Sequence, residues 1–244
     1  MPVRTVCEPA VPVQVPVIGT QGGVVFQAAI DTVRLLRGSG YSCAIFGSAA
    51  CYLYGNERLP NDVDILVSSL VEAEVIKGSL VNQDPLHFHL KKAKTPGATY
   101  KVLWYCYHQD IGGRIMTRES KVDIVMAGTM MLPFLSSGSI IMQGALPLVP
   151  LEVLLLHKLQ GWYDHMTAPE LHKQRKQTTD VADIRRTLKI VLQSVTRTKR
   201  SWARVALSFF QEEFQRLTTD RVKLFCSMFV DCKNDWYQLG FEVA

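Results

Sequence analysis

Residues 42–67 read SCAIFGSAACYLYGNERLPNDVDILV. Ser42 to Phe46 is a short apolar run that predicts a buried strand, and Gly47-Ser48 ends it. Ala49 to Tyr54 has the texture of a short helix that stops at Gly55. A loop with Arg58 and Pro60 follows. Asp62 to Val67 alternates polar and apolar residues and then turns wholly apolar, as a strand entering a core does. Strand residues two apart face the same way, about 6.5–7 Å from each other. Asp62 and Asp64 therefore project together. Paired carboxylates repel and call for a cation or a shared proton. A small loop opposite them favours the cation, against the plainer reading of two solvated acids at a strand start.

Working outward, Gly47-Ser48 joins a strand to the start of a helix. N–H groups there suit a phosphate, glycine permits close approach, and Ser48 adds a hydroxyl. Taken alone, the pair is a turn. A third acid, Asp123, lies in Lys121-Val122-Asp123-Ile124-Val125, whose apolar neighbours belong in a core. An acid in such a strand is costly unless it is paired or bound to metal, or unless the strand is an exposed edge. Beside the Asp62/Asp64 strand, Asp123 would complete a triad able to hold two metal ions ~3.5–4 Å apart.

The rest of the chain frames this centre. The expected helices are Val24–Leu36, Leu70–Val81, Leu151–Met166, Asp180–Val195, Trp202–Leu217 and Asp220–Cys232. The expected strands are Leu86–Lys92 and Tyr100–His108, joined across Thr95-Pro96-Gly97, then Lys121–Met126 and one more within Ser139–Val149. This divides the chain into an extended Pro/Val-rich arm (1–23), a mixed α/β core (24–150) and a helical C-terminal half (151–244). With 244 residues, 48% of them hydrophobic, and a mean hydropathy of +0.08, the composition is that of a globular protein and excludes disorder. No apolar run reaches the ~18 residues of a membrane span, and the prolines near the start do not suit a signal peptide, so a cytoplasmic protein with no membrane partner is expected. Six scattered cysteines without a CxxC pair argue against zinc and thioredoxin-type chemistry and read as reduced thiols.

Residues 1–156 carry 12 Lys/Arg against 12 Asp/Glu, and residues 157–244 carry 15 against 10. The excess of +5 therefore belongs to the helical half, as a solvated surface or as a hint of polyanions. Lys158 sits on an apolar helix face, where it contacts a triphosphate, pairs with Asp180 or Asp183, or does both. Arg58 stabilises its loop or meets a phosphate. His87 and His89 alternate on one strand and read as ordinary strand residues or as part of an acceptor site. His157, His165 and His172 read as non-ligands, and Arg197-Thr198-Lys199-Arg200 as an exposed interhelical loop.

The motif set as a whole resembles the nucleotidyltransferase superfamily, in its minimal, toxin-type (AbiEii-like) branches. The Gly-Ser corner matches Gly47-Ser48, the helix-ending glycine matches Gly55, and the basic residue before the acids matches Arg58. The acidic pair matches Asp62 and Asp64, and the later strand acid matches Asp123. Lys158 matches the family's lysine on the first helix after the core. Lys176-Gln177-Thr178-Thr179-Asp180-Val181-Ala182-Asp183 matches its basic-x-x-x-Asp-x-x-Asp segment. Pro60 stands where the family often has Thr or Ser.

The resemblance covers most of residues 24–192. It implies a mixed sheet with helices against it, and a metal-dependent enzyme moving a nucleoside monophosphate from a nucleoside triphosphate such as ATP to an acceptor hydroxyl, with release of pyrophosphate. Asp62, Asp64 and Asp123 would hold Mg²⁺ or Mn²⁺. Gly47, Ser48, Arg58 and Lys158 would meet the triphosphate. The acceptor stays open among small molecule, protein and RNA. The rival readings are a non-catalytic nucleotide-binding or regulatory module on the same fold, and an RNA-end-modifying enzyme.

Overall fold

The structure, a computed structural model, describes residues 15–94, 97–194 and 201–243. Most of the expected N-terminal arm, Thr95-Pro96 of the expected turn and the run Arg197–Arg200 lie outside the described residues. Helix α1 (Gln21–Gly38) is followed by β1 (Cys43–Phe46), α2 (Gly47–Leu53), β2 (Asp62–Val67), α3 (Ala73–Gln83), β3 (Phe88–Lys92), β4 (Lys101–Ile111) and β5 (Arg114–Met126). Then come β6 (Ile141–Gln143), β7 (Leu146–Leu148) and the helices α4 (Leu151–Thr167), α5 (Leu171–Gln174), α6 (Gln177–Ser194), α7 (Trp202–Leu207), α8 (Glu212–Met228) and α9 (Lys233–Gln238). The strands form one mixed sheet in the order β3-β4-β5-β2-β1-β7-β6. The fold is α/β, as the sequence predicts.

Alternation along the strands separates two faces. On one, Val63, Val122 and Leu103 are in register across β2, β5 and β4, and all are buried. Helix α1 packs here, with Phe26, Ala29 and Val33 buried, and the Tyr105 hydroxyl donates to Asp31 of α1 at 2.7 Å. On the other face, Phe46 of β1 meets the His157 ring of α4 edge-on, at 5.6 Å between centroids. Trp162, Phe225 and Trp236 fill the core between α4, α8 and α9. Among the described residues no helix is long and apolar enough to cross a membrane.

Several element boundaries differ from expectation for local reasons. Helix α1 starts at Gln21 because the Thr20 side chain caps it, accepting from the Gly23 N–H at 3.0 Å. Strand β5 begins at Arg114, seven residues before the expected start, because Gly112 and Gly113 (φ +63 and +83) make the tight turn back from β4. His87 lies outside β3: Asp84 closes a turn by accepting from the His87 and Phe88 N–H groups. The expected helix 202–217 breaks after Leu207, where Phe210 turns inward to stack on Phe214 at 3.9 Å. Gln215 Nε2 donates to the carbonyl that this break frees on Phe210, at 2.8 Å. Helix α8 then runs unbroken through Thr218-Thr219, where the expected boundary lay; Thr218 is buried with Phe214, Val222 and Phe225, and the Thr219 hydroxyl donates to the Gln215 carbonyl within the helix.

Candidate active site

Sheet register brings the three sequence-selected acids together. β2 and β5 run parallel with Asp62 opposite Lys121 and Asp64 opposite Asp123. The even-numbered face of β2 and the odd-numbered face of β5 thus coincide, and Asp62, Asp64 and Asp123 share it. On the other side of β2, Phe46 is the partner of Asp64, so the chain enters Gly47 directly beside that carboxylate.

Gly47 adopts φ +61, and a Cβ added there would collide with the Asp64 carboxylate. The glycine is required twice, by its left-handed backbone and by its neighbour. Gly55 is a useful contrast: it has φ +106, but a Cβ there would meet nothing within 4 Å. Gly47→Ala is therefore expected to lower the melting temperature by at least twice the loss caused by Gly55→Ala. The strain common to both is about 1 kcal/mol, and the collision adds to it. Thermal melts of the two variants check this.

The electrostatics follow from the crowding. Burial, then the charges of Asp62 and Asp123, push the Asp64 carboxyl up to about 7, while Lys158 and Lys121 pull the other way. Lys121 Nζ bonds Asp123 Oδ2 at 2.5 Å, with both side chains about one-third exposed. The i, i+2 spacing of Lys121 from Asp123 on one strand is the sequence signal for this pair. Three carboxylates on one face of adjoining strands offer hard oxygen donors of the kind Mg²⁺ or Mn²⁺ takes, and a carboxyl that resists ionisation without a cation fits the same role.

Arg58 and Lys158 meet at one acid. Asp183, on α6 and 1% exposed, accepts from Arg58 Nε at 2.9 Å, from Arg58 Nη2 at 2.6 Å and from Lys158 Nζ at 2.9 Å. Burial works to raise this carboxyl, but the hydrogen bonds and charges of Arg58 and Lys158 outweigh it and hold it below the usual carboxylate range. Asn56 orders the loop by accepting from the Arg58 N–H at 3.1 Å. The ion pair expected between Lys158 and Asp180 or Asp183 is made with Asp183, and Asp180 binds His165 instead, at 2.6 Å. Two cations share one carboxylate, so one positive charge is left over near the acids. Ser48 is buried at the start of α2, and Cys43 and Cys51 are buried. His157 is buried against Phe46, Phe210 and Phe214, and burial, with Arg221 nearby, pushes its pKa down to about 3, leaving it neutral.

No protein-family model matches the chain, and no curated protein matches it significantly. Solved structures do. One is the crystal structure of an antigenic nucleotidyltransferase-like protein from Paracoccidioides brasiliensis. It is 15% identical, with 88% of this chain and 93% of that one covered and a TM-score of 0.61. Another is JHP933 from Helicobacter pylori, 14% identical, with 91% and 82% covered and a TM-score of 0.49. The first of these carries the assignment, and at such identity it speaks to architecture: the chain has a nucleotidyltransferase-like fold.

Proposed function

We propose that the protein is a metal-dependent nucleotidyltransferase, transferring a nucleoside monophosphate from a triphosphate such as ATP to an acceptor hydroxyl with release of pyrophosphate. The observation that carries this is the register of Asp64 with Asp123, which sets three acids on one face beside Gly47. The spacing of Gly47-Ser48, Arg58, Asp62-x-Asp64, Asp123, Lys158 and Lys176-x-x-x-Asp180-x-x-Asp183 supports the AbiEii-like branch, with residues 24–150 as the catalytic core and 151–244 as its helical partner.

Asp62, Asp64 and Asp123 would hold Mg²⁺ or Mn²⁺. A bound divalent ion supplies charge stabilisation at the phosphoryl oxygens and lowers the pKa of an attacking hydroxyl. The chain itself contributes position and field. Gly47 lets the chain pass close against the Asp64 carboxylate, and Ser48 adds N–H and hydroxyl donors for a phosphate. The charge left over at Arg58 and Lys158 favours the polyanionic tail of the substrate, and Asp183 fixes both cations in place. Asp123, on β5 beside Lys121 and opposite Asp64, would take the proton of an incoming hydroxyl.

The test is pyrophosphate release from each nucleoside triphosphate with Mg²⁺ over a panel of small-molecule, protein and RNA acceptors. The expected result is release that chelation abolishes and Asp62→Asn removes. Nucleotide binding without release across the panel would leave a non-catalytic module.

A pH dependence follows as well. With its carboxyl near 7, Asp64 carries a proton that a cation must displace. Affinity for Mn²⁺ is expected to rise by about fivefold between pH 6 and pH 7, as that proton goes from mostly bound to half released, and to level off above pH 8. Calorimetry across that range checks it, and Asp64→Asn should flatten the profile.

A further inference from the structure

The face that carries the three aspartates continues along β5. Glu119 precedes Asp123 by four residues, about 13 Å along the strand, and stands opposite Cys106 of β4. His89 comes from β3, in register with Trp104. The polar atoms of these three residues converge. Cys106 Sγ lies 3.5 Å from His89 Nδ1 and 3.4 Å from Glu119 Oε1, and His89 Nε2 lies 3.3 Å from the same oxygen. A tetrahedral zinc ion, with Zn–S of about 2.3 Å and Zn–N and Zn–O of about 2.0–2.2 Å, sets its ligand atoms roughly 3.3–3.6 Å apart. The sulfur faces one ring nitrogen and the carboxylate oxygen the other, and one ligand atom from each residue lies within 4.8 Å of the other two, so an adjustment of the imidazole brings a single nitrogen to the spacing such an ion requires.

The surroundings fit the same use. Lys91 Nζ holds the other Glu119 oxygen, Oε2, at 2.6 Å, which leaves Oε1 turned to the histidine and the thiol. Lys91 is itself seated over the Trp104 ring at 4.5 Å. An outer partner that fixes a ligating carboxylate is a regular part of metal sites. His89 and Glu119 are about one-third exposed and Cys106 is half-buried, so a fourth position faces solvent.

We propose that His89, Cys106 and Glu119 form a zinc site, with one imidazole nitrogen, the thiolate sulfur and Glu119 Oε1 as ligands and water in the fourth position. Binding releases the thiol proton to solvent. The donor set separates this site from the aspartate cluster: sulfur and nitrogen favour zinc, whereas carboxylates alone favour magnesium or manganese. One ligand comes from each of β3, β4 and β5, so the ion ties the sheet-edge strands together.

The test is titration of the reduced, metal-free full-length chain with Co²⁺, followed by Zn²⁺ competition. The expected result is a thiolate-to-cobalt charge-transfer band that saturates at one equivalent and is displaced by Zn²⁺. Cys106→Ser should abolish the band, and His89→Gln and Glu119→Gln should each weaken Co²⁺ binding by tenfold or more. Asp64→Asn should leave the charge-transfer band unchanged, since that band reports only cobalt bound to sulfur. Zn²⁺ should raise the melting temperature of the wild-type chain but not of Cys106→Ser. Absence of the band in the wild type, or a band undiminished in Cys106→Ser, would overturn the proposal. If Cys106→Ser fails to fold, full-strength Co²⁺ binding by both His89→Gln and Glu119→Gln would overturn it equally.

Discussion

Replacing Asp64 by Asn is expected to cut nucleotide transfer by about 10³-fold while raising the melting temperature of the metal-free protein by about 3 °C. Both effects come from one cause. Asp64 is the central carboxylate, in register with Asp123 and two residues from Asp62. Its crowding raises its pKa to about 7. A folded-state pKa above the unfolded value means that the unfolded chain gives up its proton first as pH rises. Stability therefore falls across the window from about 4 to about 7 and is lowest at neutral pH and above. Asn keeps the shape and removes the charge. Relief of about 1 kcal/mol corresponds to roughly 2–4 °C in a chain of this size. In the proposed mechanism the same charge is the one a divalent ion needs, and about 4 kcal/mol of lost stabilisation in the transition state is the ~10³-fold loss. Melts without metal and pyrophosphate release with Mg²⁺ read the two effects separately. A variant that lost stability together with activity would point to a packing role instead.

The second large effect is at Asp183. Asp183→Asn should destabilise the fold by about 3 kcal/mol, because it leaves two cations facing a neutral amide in a buried setting. Arg58 is 30% exposed and can recover some hydration, whereas Lys158 is 15% exposed and recovers less. Lys158 is thus the main source of the cost. In a Lys158→Met background, the same Asp183→Asn change should cost about half as much. Asp183 is held below the ordinary carboxylate range, so its contribution is complete above about pH 4 and is lost only as acid protonates it. Denaturant unfolding of the single and double variants measures this. Equal costs in the two backgrounds would show that the loss comes from the amide itself rather than from the stranded ammonium.

The parts legible in the sequence were those set by local pattern. Asp62 and Asp64 announce themselves by period-two spacing at the mouth of an apolar strand, and Asp123 by its place among Val and Ile. What no local pattern contains is which strands become neighbours. The pairing of β2 with β5 spans almost sixty residues, with α3 and a hairpin between, and depends on how the whole sheet assembles. The double demand on Gly47 could not be read in advance either, since it arises from the Asp64 carboxylate on the adjacent strand. The tie of Arg58 and Lys158 to Asp183 was half legible: Asp183 was one of two candidates, and helix rotation decided between them. The grouping of His89, Cys106 and Glu119 left no trace in the sequence, because each of the three comes from a different strand and their spacing follows no ligand motif. Helix ends were misplaced where a tertiary contact overrode propensity, as when Phe210 left the helical path to stack on Phe214.

The central claim is that Asp62, Asp64 and Asp123 jointly hold divalent ions against a triphosphate at the Gly47-Ser48 corner. Crystals grown with Mn²⁺ and a non-hydrolysable ATP analogue, measured for anomalous scattering, test it most directly. The account predicts manganese peaks within ligand distance of all three carboxylates, with the triphosphate beside Gly47 and Ser48. Manganese and nucleotide bound elsewhere, with the three aspartates bare, would contradict it.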